Sequence, residues 1–177
     1  MTDYSPLKSK IRQIQDFPVK GINFKDITPL LEDKRTRREA IDGLTDAFRE
    51  KEVDKVLGID ARGFLFASVV ADRLDVGLVI ARKKGKLPFK SIATEHDLEY
   101  GKGVLEIHAD SIEKGEKILI IDDVLATGGT AEAAVKLVEK LGGVVVGIGF
   151  LLEVSVKPPL GGRERLSKYN VVSLIKY

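Results

Sequence analysis

Two adjacent carboxylates, Asp122 and Asp123, close the apolar run Ile118–Ile121, and the small-residue turn Ala126-Thr127-Gly128-Gly129-Thr130 follows almost at once. Paired carboxylates accept hydrogen bonds from neighbouring hydroxyls or share a Mg²⁺ ion, while glycines let successive backbone N–H groups converge on an anion. Ala134, Val135, Val138 and Leu141 then recur at helical spacing, so a helix N-terminus adds its positive end to the same cradle. Acids alone would repel a bare phosphate; acids beside an anion cradle suit a phosphorylated sugar with an adjacent diol. The purely structural alternative is that the acids merely end a strand and Thr127 caps a helix.

A second junction has the same form. Val56–Ile59 is a short apolar strand that runs into Asp60-Ala61-Arg62, and a helix begins near Gly63 and continues through Phe66, Val69, Val70 and Leu74. Arg62 stands where a side chain would project into the same cleft, with small neighbours that let an anion approach the backbone; a structural arginine is the alternative. A third strand, Val76–Ala81, ends in Arg82-Lys83-Lys84-Gly85-Lys86, either a solvated run or cations facing a pyrophosphate. Two tempting motifs fail. Gly85-Lys86 is not a P-loop, because Ile80 replaces its first glycine and Leu87 its Ser/Thr. Gly147-Ile148-Gly149 lies inside a strand, with Leu152 in place of the third glycine of a dinucleotide fingerprint.

The elements that must position these residues read as alternating strands and helices, which predicts an α/β fold with a mainly parallel twisted sheet flanked by helices. Ligands in such sheets sit at the carboxyl ends of the strands, where all three junctions fall. Leu7, Ile11 and Ile14 predict an amphipathic helix within residues 1–14. Pro18, Gly21 and Pro29 break up residues 16–33, a loop with apolar teeth at Phe17, Ile22, Phe24 and Ile27 that either seals a core or dimer or forms a hood over a flat ligand. Asp33 is placed to cap a helix over Arg35–Lys51. Residues 82–101 lack a helical pattern, and Leu98–Tyr100 with Val104–Ile107 suggest the strand stems of a long hairpin, hence a mobile lid. Val144–Leu152 predicts a strand, residues 158–162 a turn, Arg163–Lys168 a short helix and Val171–Ile175 a last strand. No repeat or linker divides the 177 residues, so one domain is expected.

Composition narrows the chemistry. The net charge of +2 is too small to imply a general nucleic-acid or membrane partner, and the absence of cysteine excludes disulfides, thiolate zinc sites and cysteine nucleophiles. His96 and His108 are the only histidines, which disfavours a histidine metal site. With no apolar stretch long enough to span a bilayer and no signal-like apolar core at the N-terminus, the expectation is cytoplasmic.

The stretch from Ile118 to Thr130 strongly resembles the phosphoribosyl-pyrophosphate (PRPP) motif of the type I phosphoribosyltransferases. Together with GIDARGFLFA, RKKGKLP, LEYGKGVLEIH and the FPVKGINFKDITPLL loop, it resembles the adenine phosphoribosyltransferase family across nearly the whole chain. The resemblance implies transfer of phosphoribose from PRPP to adenine, giving AMP and pyrophosphate with Mg²⁺ held mainly by PRPP and water. It places the ribose hydroxyls on Asp122 and Asp123 and the 5′-phosphate on Ala126, Thr127, Gly128, Gly129 and Thr130. It places pyrophosphate against Asp60, Ala61, Arg62, Arg82 and Lys86. Adenine would lie under Phe24 beside Lys25, in a hood spanning about residues 15–33, and Glu99, next to Tyr100 in a lid of about 82–103, would handle the base's proton or a ring nitrogen. The family is typically homodimeric. One departure is Lys25, which stands where family members commonly carry arginine; a donor-only lysine suits a 6-oxo group, so a 6-oxopurine enzyme stays open beside a non-catalytic PRPP or purine sensor.

Overall fold

The structure, a computed structural model, describes residues 3–97, 102–155 and 161–177. In chain order the elements are α1 (Ser5–Ser9), β1 (Arg12–Gln15), β2 (Asn23–Asp26), α2 (Thr28–Glu32), α3 (Lys34–Asp46), β3 (Lys55–Ile59), α4 (Gly63–Leu74), β4 (Gly77–Lys83), β5 (Ser91–Asp97), β6 (Lys102–His108), β7 (Lys117–Leu125), α5 (Gly129–Lys140), β8 (Val144–Glu153), α6 (Gly162–Arg165) and β9 (Val171–Lys176).

Seven strands form one sheet in the order β5-β6-β4-β3-β7-β8-β9. The run β4-β3-β7-β8-β9 is parallel throughout, and the β5–β6 hairpin is added antiparallel at one edge. β3 and β7 lie side by side in the middle, so the two strand-to-helix junctions seen in the sequence face one another across a single strand spacing. β7 is buried on both faces, which is why it reads as an unbroken apolar run. Leu119 and Ile121 join the core with Leu44, Phe48, Phe66 and Val70 of the α3–α4 side. Ile118 and Ile120 join Leu57, Leu137, Val138 and Phe150 of the α5 side. Fully burying each such side chain contributes about 1.5–3 kcal/mol. The glycines at 147 and 149 serve this packing: a Cβ at Gly147 would stand 2.4 Å from Phe48 Cε1, and one at Gly149 would stand 2.7 Å from Ile121 Cδ1.

Several boundaries differ from the sequence reading, each for a tertiary reason. The expected helix over 1–14 is only five residues long, because Arg12–Gln15 leaves it to pair antiparallel with Asn23–Asp26, with Ile14 opposite Phe24. The expected loop over 16–33 therefore holds half of a hairpin and also α2, in which Pro29 occupies the first turn, where a missing N–H costs nothing. Asp33 caps α3 as expected, accepting from the N–H groups of Arg35 and Thr36, but the helix ends at Asp46 rather than Lys51. β7 does not stop at the acids; it continues to Leu125 because the ten-residue β8 extends the ladder past them, with Val124 opposite Leu152. α6 ends at Arg165, short of Lys168.

The presumed lid is largely sheet. Arg82 and Lys83 finish β4, and Ser91–Asp97 pairs with Lys102–His108 as a stem of the hairpin. Residues 91–96 alternate exposed and half-buried, but only Ile92 among them is strongly apolar, so the period is faint in the sequence. Leu98, Glu99, Tyr100 and Gly101 lie outside the described residues, as do residues 156–160, which include positions 158–160 of the expected turn.

Candidate functional site

The chain turns sharply where β3 ends. The Asp60 N–H donates to Ala81 O at 2.9 Å, and Asp60 Oδ2 accepts from Arg82 Nε at 3.3 Å and from the Lys83 N–H at 3.5 Å. The Asp60–Ala61 peptide is cis. α4 begins two residues later at Gly63, where a Cβ would come 2.8 Å from Asp122 Oδ1 and 3.0 Å from Ile121 O. Only glycine lets the start of α4 sit this close to the end of β7, and that brings Arg62 to the acids.

Asp123 is buried and receives the Arg62 guanidinium, Nε to Oδ2 at 2.5 Å. Its own N–H donates to Asp122 Oδ1 at 2.9 Å. The two acids are thereby made different. Asp123 has a cation, whereas desolvation of Asp122, reinforced by the neighbouring Asp123 charge, holds the Asp122 carboxyl well above the ordinary carboxylate value. Two adjacent carboxyls in such different surroundings offer several oxygens to a pair of neighbouring hydroxyls.

The turn after β7 is shaped from two sides. Gly128 has φ +76° and caps α5 without any side-chain hydrogen bond, leaving the first-turn N–H groups of a twelve-residue helix without intrahelical acceptors. Gly162 closes over it: its N–H donates to Ala126 O at 3.0 Å, and a Cβ at Gly128 would meet Gly162 Cα at 2.8 Å. Ala126, Thr127, Gly128, Gly129 and Thr130 therefore form one backbone concavity at the positive end of α5.

Arg82 and Lys86 meet at the root of the basic turn, where Arg82 Nη1 donates to Lys86 O at 3.3 Å while its Nε rests on Asp60. The turn is also tied down by Glu106 of β6, a buried side chain whose Oε2 accepts from the Gly85 N–H at 3.0 Å. Glu106 was not singled out in the sequence; the available signal was an acid inside the otherwise apolar Val104–Ile107 run.

The β1–β2 hairpin lies over this strand end. The Phe24 ring stands 5.5 Å from the Arg62 guanidinium carbon and packs edge-on to Phe17 at 5.2 Å. Lys25, the next residue, turns to the opposite face and is buried. Its Nζ donates to Gln13 Oε1 at 2.6 Å and lies 4.5 Å from the Tyr177 ring centroid. The structure thus gathers Phe24, Arg62, Asp122, Asp123 and the 126–130 turn, and sets the Lys25 ammonium apart from them. Glu99 lies outside the described residues. Among the described residues no group of three or more histidine or acidic side chains stands together to hold a metal. A cavity of about 1230 Å³ opens between α3, α4 and β9, but it shares no residue with the two strand ends.

The family model described as phosphoribosyl transferase domain matches residues 30–174. The chain is 49% identical over 171 residues to the adenine phosphoribosyltransferase of Clostridium novyi, covering 97% of this chain and 98% of that protein. Among solved structures, adenine phosphoribosyltransferase from Thermoanaerobacter pseudethanolicus superposes with a TM-score of 0.93 at 47% identity, covering 99% of this chain and all of that one. The Saccharomyces cerevisiae enzyme, complexed with D-2,5-dideoxy-2,5-imino-altritol 1,6-bisphosphate and adenine, superposes with a TM-score of 0.86 at 36% identity, covering 96% and 97%.

Proposed function

The chain belongs to the adenine phosphoribosyltransferase family and has the type I phosphoribosyltransferase fold, and from that premise we propose how its residues divide the transfer of phosphoribose from PRPP to adenine. The reaction breaks the bond between the anomeric carbon and pyrophosphate, forms a bond from that carbon to a ring nitrogen of adenine, and releases the proton of that nitrogen. AMP and pyrophosphate are the products. Positive charge grows on the sugar as the bond breaks, as in glycoside hydrolysis, and the carboxylates at 122 and 123 stabilise it while they hold the ribose hydroxyls. The 126–130 turn takes the 5′-phosphate. Arg62, Arg82 and Lys86, with the Asp60–Ala61 backbone, take the departing pyrophosphate. Glu99 receives the base's proton or hydrogen-bonds a ring nitrogen.

The observation that carries this division is the position of Arg62, between the Phe24 ring on one side and Asp123 on the other. A flat base beside Phe24 and a sugar on the acids would then be neighbours. Lys25 supports adenine over a 6-oxopurine, because its ammonium is engaged by Gln13 and Tyr177 on the far face of the hairpin and is not offered to the base. Mg²⁺ would come with the substrate, held mainly by oxygens of PRPP and water. When bound, it neutralises charge on the leaving pyrophosphate.

We also propose a homodimer in the cytoplasm. Leu78 and Ile80 of β4 and Leu65 of α4 are large exposed apolar side chains at the edge that leads into the basic turn, and a second copy of the chain would cover them. Among the described residues no helix is long and apolar enough to cross a membrane. The direct test is to incubate the purified protein with PRPP and Mg²⁺ and, in separate reactions, adenine, hypoxanthine, guanine or xanthine. AMP from adenine alone is expected; IMP, GMP or XMP, or no nucleotide in any reaction, would overturn the reading.

A further inference from the structure

We infer that Tyr177 is a positioning residue for base binding: its ring is the platform against which Lys25 rests, and through Lys25 the end of the sheet fixes where Phe24 stands. The β1–β2 hairpin needs such an anchor. It is a two-stranded sheet with no ladder to the main sheet among the described residues, and an isolated hairpin is marginal in water. Its place over the strand ends must therefore come from side chains.

Tyr177 is itself firmly held. Its N–H donates to Glu153 O at 3.0 Å, and its carbonyl accepts from the Ser155 N–H at 3.0 Å and from Ser155 Oγ at 2.7 Å. Its ring carries two cations, Lys25 Nζ at 4.5 Å and Lys8 Nζ at 4.4 Å from the centroid. Lys8 is fixed in turn by donating to Lys176 O at 2.5 Å. Lys25 is buried while Lys8 is exposed, and burial together with the Lys8 charge pulls the Lys25 ammonium below its ordinary pKa. The negative face of the ring is what makes the pair tolerable. On the hairpin itself Gln13, directly opposite Lys25, accepts from both Lys25 Nζ and Asn23 Nδ2, so the anchored cation is braced across both strands. One step along β2 the pleat reverses and presents Phe24 to Arg62. Anything that moves Lys25 moves Phe24.

The inference rests on the reading that the base binds beside Phe24, and its test separates the two. Steady-state kinetics of Tyr177→Ala should show KM for adenine raised about tenfold, the effect of losing a partly buried cation–π contact, with KM for PRPP within about twofold of wild type. Tyr177→Phe, which keeps the ring, should restore the adenine KM. Lys25→Met, which removes the cation from the other side, should reproduce the defect, and adding Tyr177→Ala to it should cost little more. Hydrogen exchange of the amides in residues 12–15 and 23–26 should accelerate in Tyr177→Ala whatever the substrate. Unchanged exchange there, or a rise in the two KM values by the same factor, would overturn the anchor. Accelerated exchange with an unchanged adenine KM would keep the anchor and overturn base binding beside Phe24.

Discussion

The two halves of the site are built in opposite ways. The half formed by the ends of β3 and β7 consists of short strand–turn–helix segments seated in the middle of the sheet, where neighbouring residues supply both the chemistry and the framework that holds it. The other half, the hairpin with Phe24 and Lys25, is assembled from residues far apart in the chain: Lys8, Gln13, Lys25 and Tyr177 meet only after folding. In the proposed reading, phosphate and ribose would be recognised by features that a local motif can encode, namely backbone N–H groups, paired acids and a helix end. The base would be recognised by the position of a small unit over that floor, and that position is set by distant contacts.

The comparison is broken most severely at the acids. Replacing Asp122 and Asp123 together by asparagine should lower kcat/KM about 10²–10³-fold, the cost of removing preorganised charge from a transition state, while the hairpin stays in place. Initial rates and hydrogen exchange of residues 12–26 would check both parts. Next comes the turn. Gly128→Ala puts a Cβ at φ +76° and 2.8 Å from Gly162 Cα, so it should cost about 1–3 kcal/mol of stability and raise KM for PRPP, seen by denaturant titration and kinetics. On the hairpin side the effect is smaller: Phe24→Ala should raise KM for adenine about tenfold through lost aromatic contact.

The smallest effect has the most telling sign. Because the fold raises the Asp122 carboxyl above its ordinary 3.8, the unfolded chain ionises first as pH rises. The native state is therefore fully favoured by this group below about pH 3.8 and loses that contribution as pH climbs through the higher folded pKa. Asp122→Asn should accordingly lower kcat/KM by less than the double replacement does, yet be more stable than wild type near neutral pH, with the gain closing towards pH 4. Thermal unfolding would register about 2–4 °C for each kcal/mol. A loss of stability at neutral pH would show that Asp122 is a structural acid after all.

The same contrast explains what could be read from the sequence. Ile118–Ile121, the two acids, the TGGT turn and the helical spacing beyond it are local, and so are GIDARG and the Asp33 cap; the structure places all of them in one cleft or at the expected end of a helix. The hairpin was hidden because Ile11 and Ile14 fit a helical period, and only pairing with Asn23–Asp26 reveals Arg12–Gln15 as a strand. Glu106, Gln13 and Tyr177 carry no motif; each matters through a contact with a residue distant in sequence. Lys25, which by residue type argued for a 6-oxo group, points away from Phe24, and residue type alone could not give its direction.

The most direct test of this division of labour is to vary adenine and PRPP independently in steady-state assays of Gly128→Ala and Phe24→Ala. The account predicts a crossed result, with the KM for PRPP raised in the glycine variant alone and the KM for adenine raised in the phenylalanine variant alone. If both constants rise together in either variant, the two halves are not separate sites of recognition and the account is wrong.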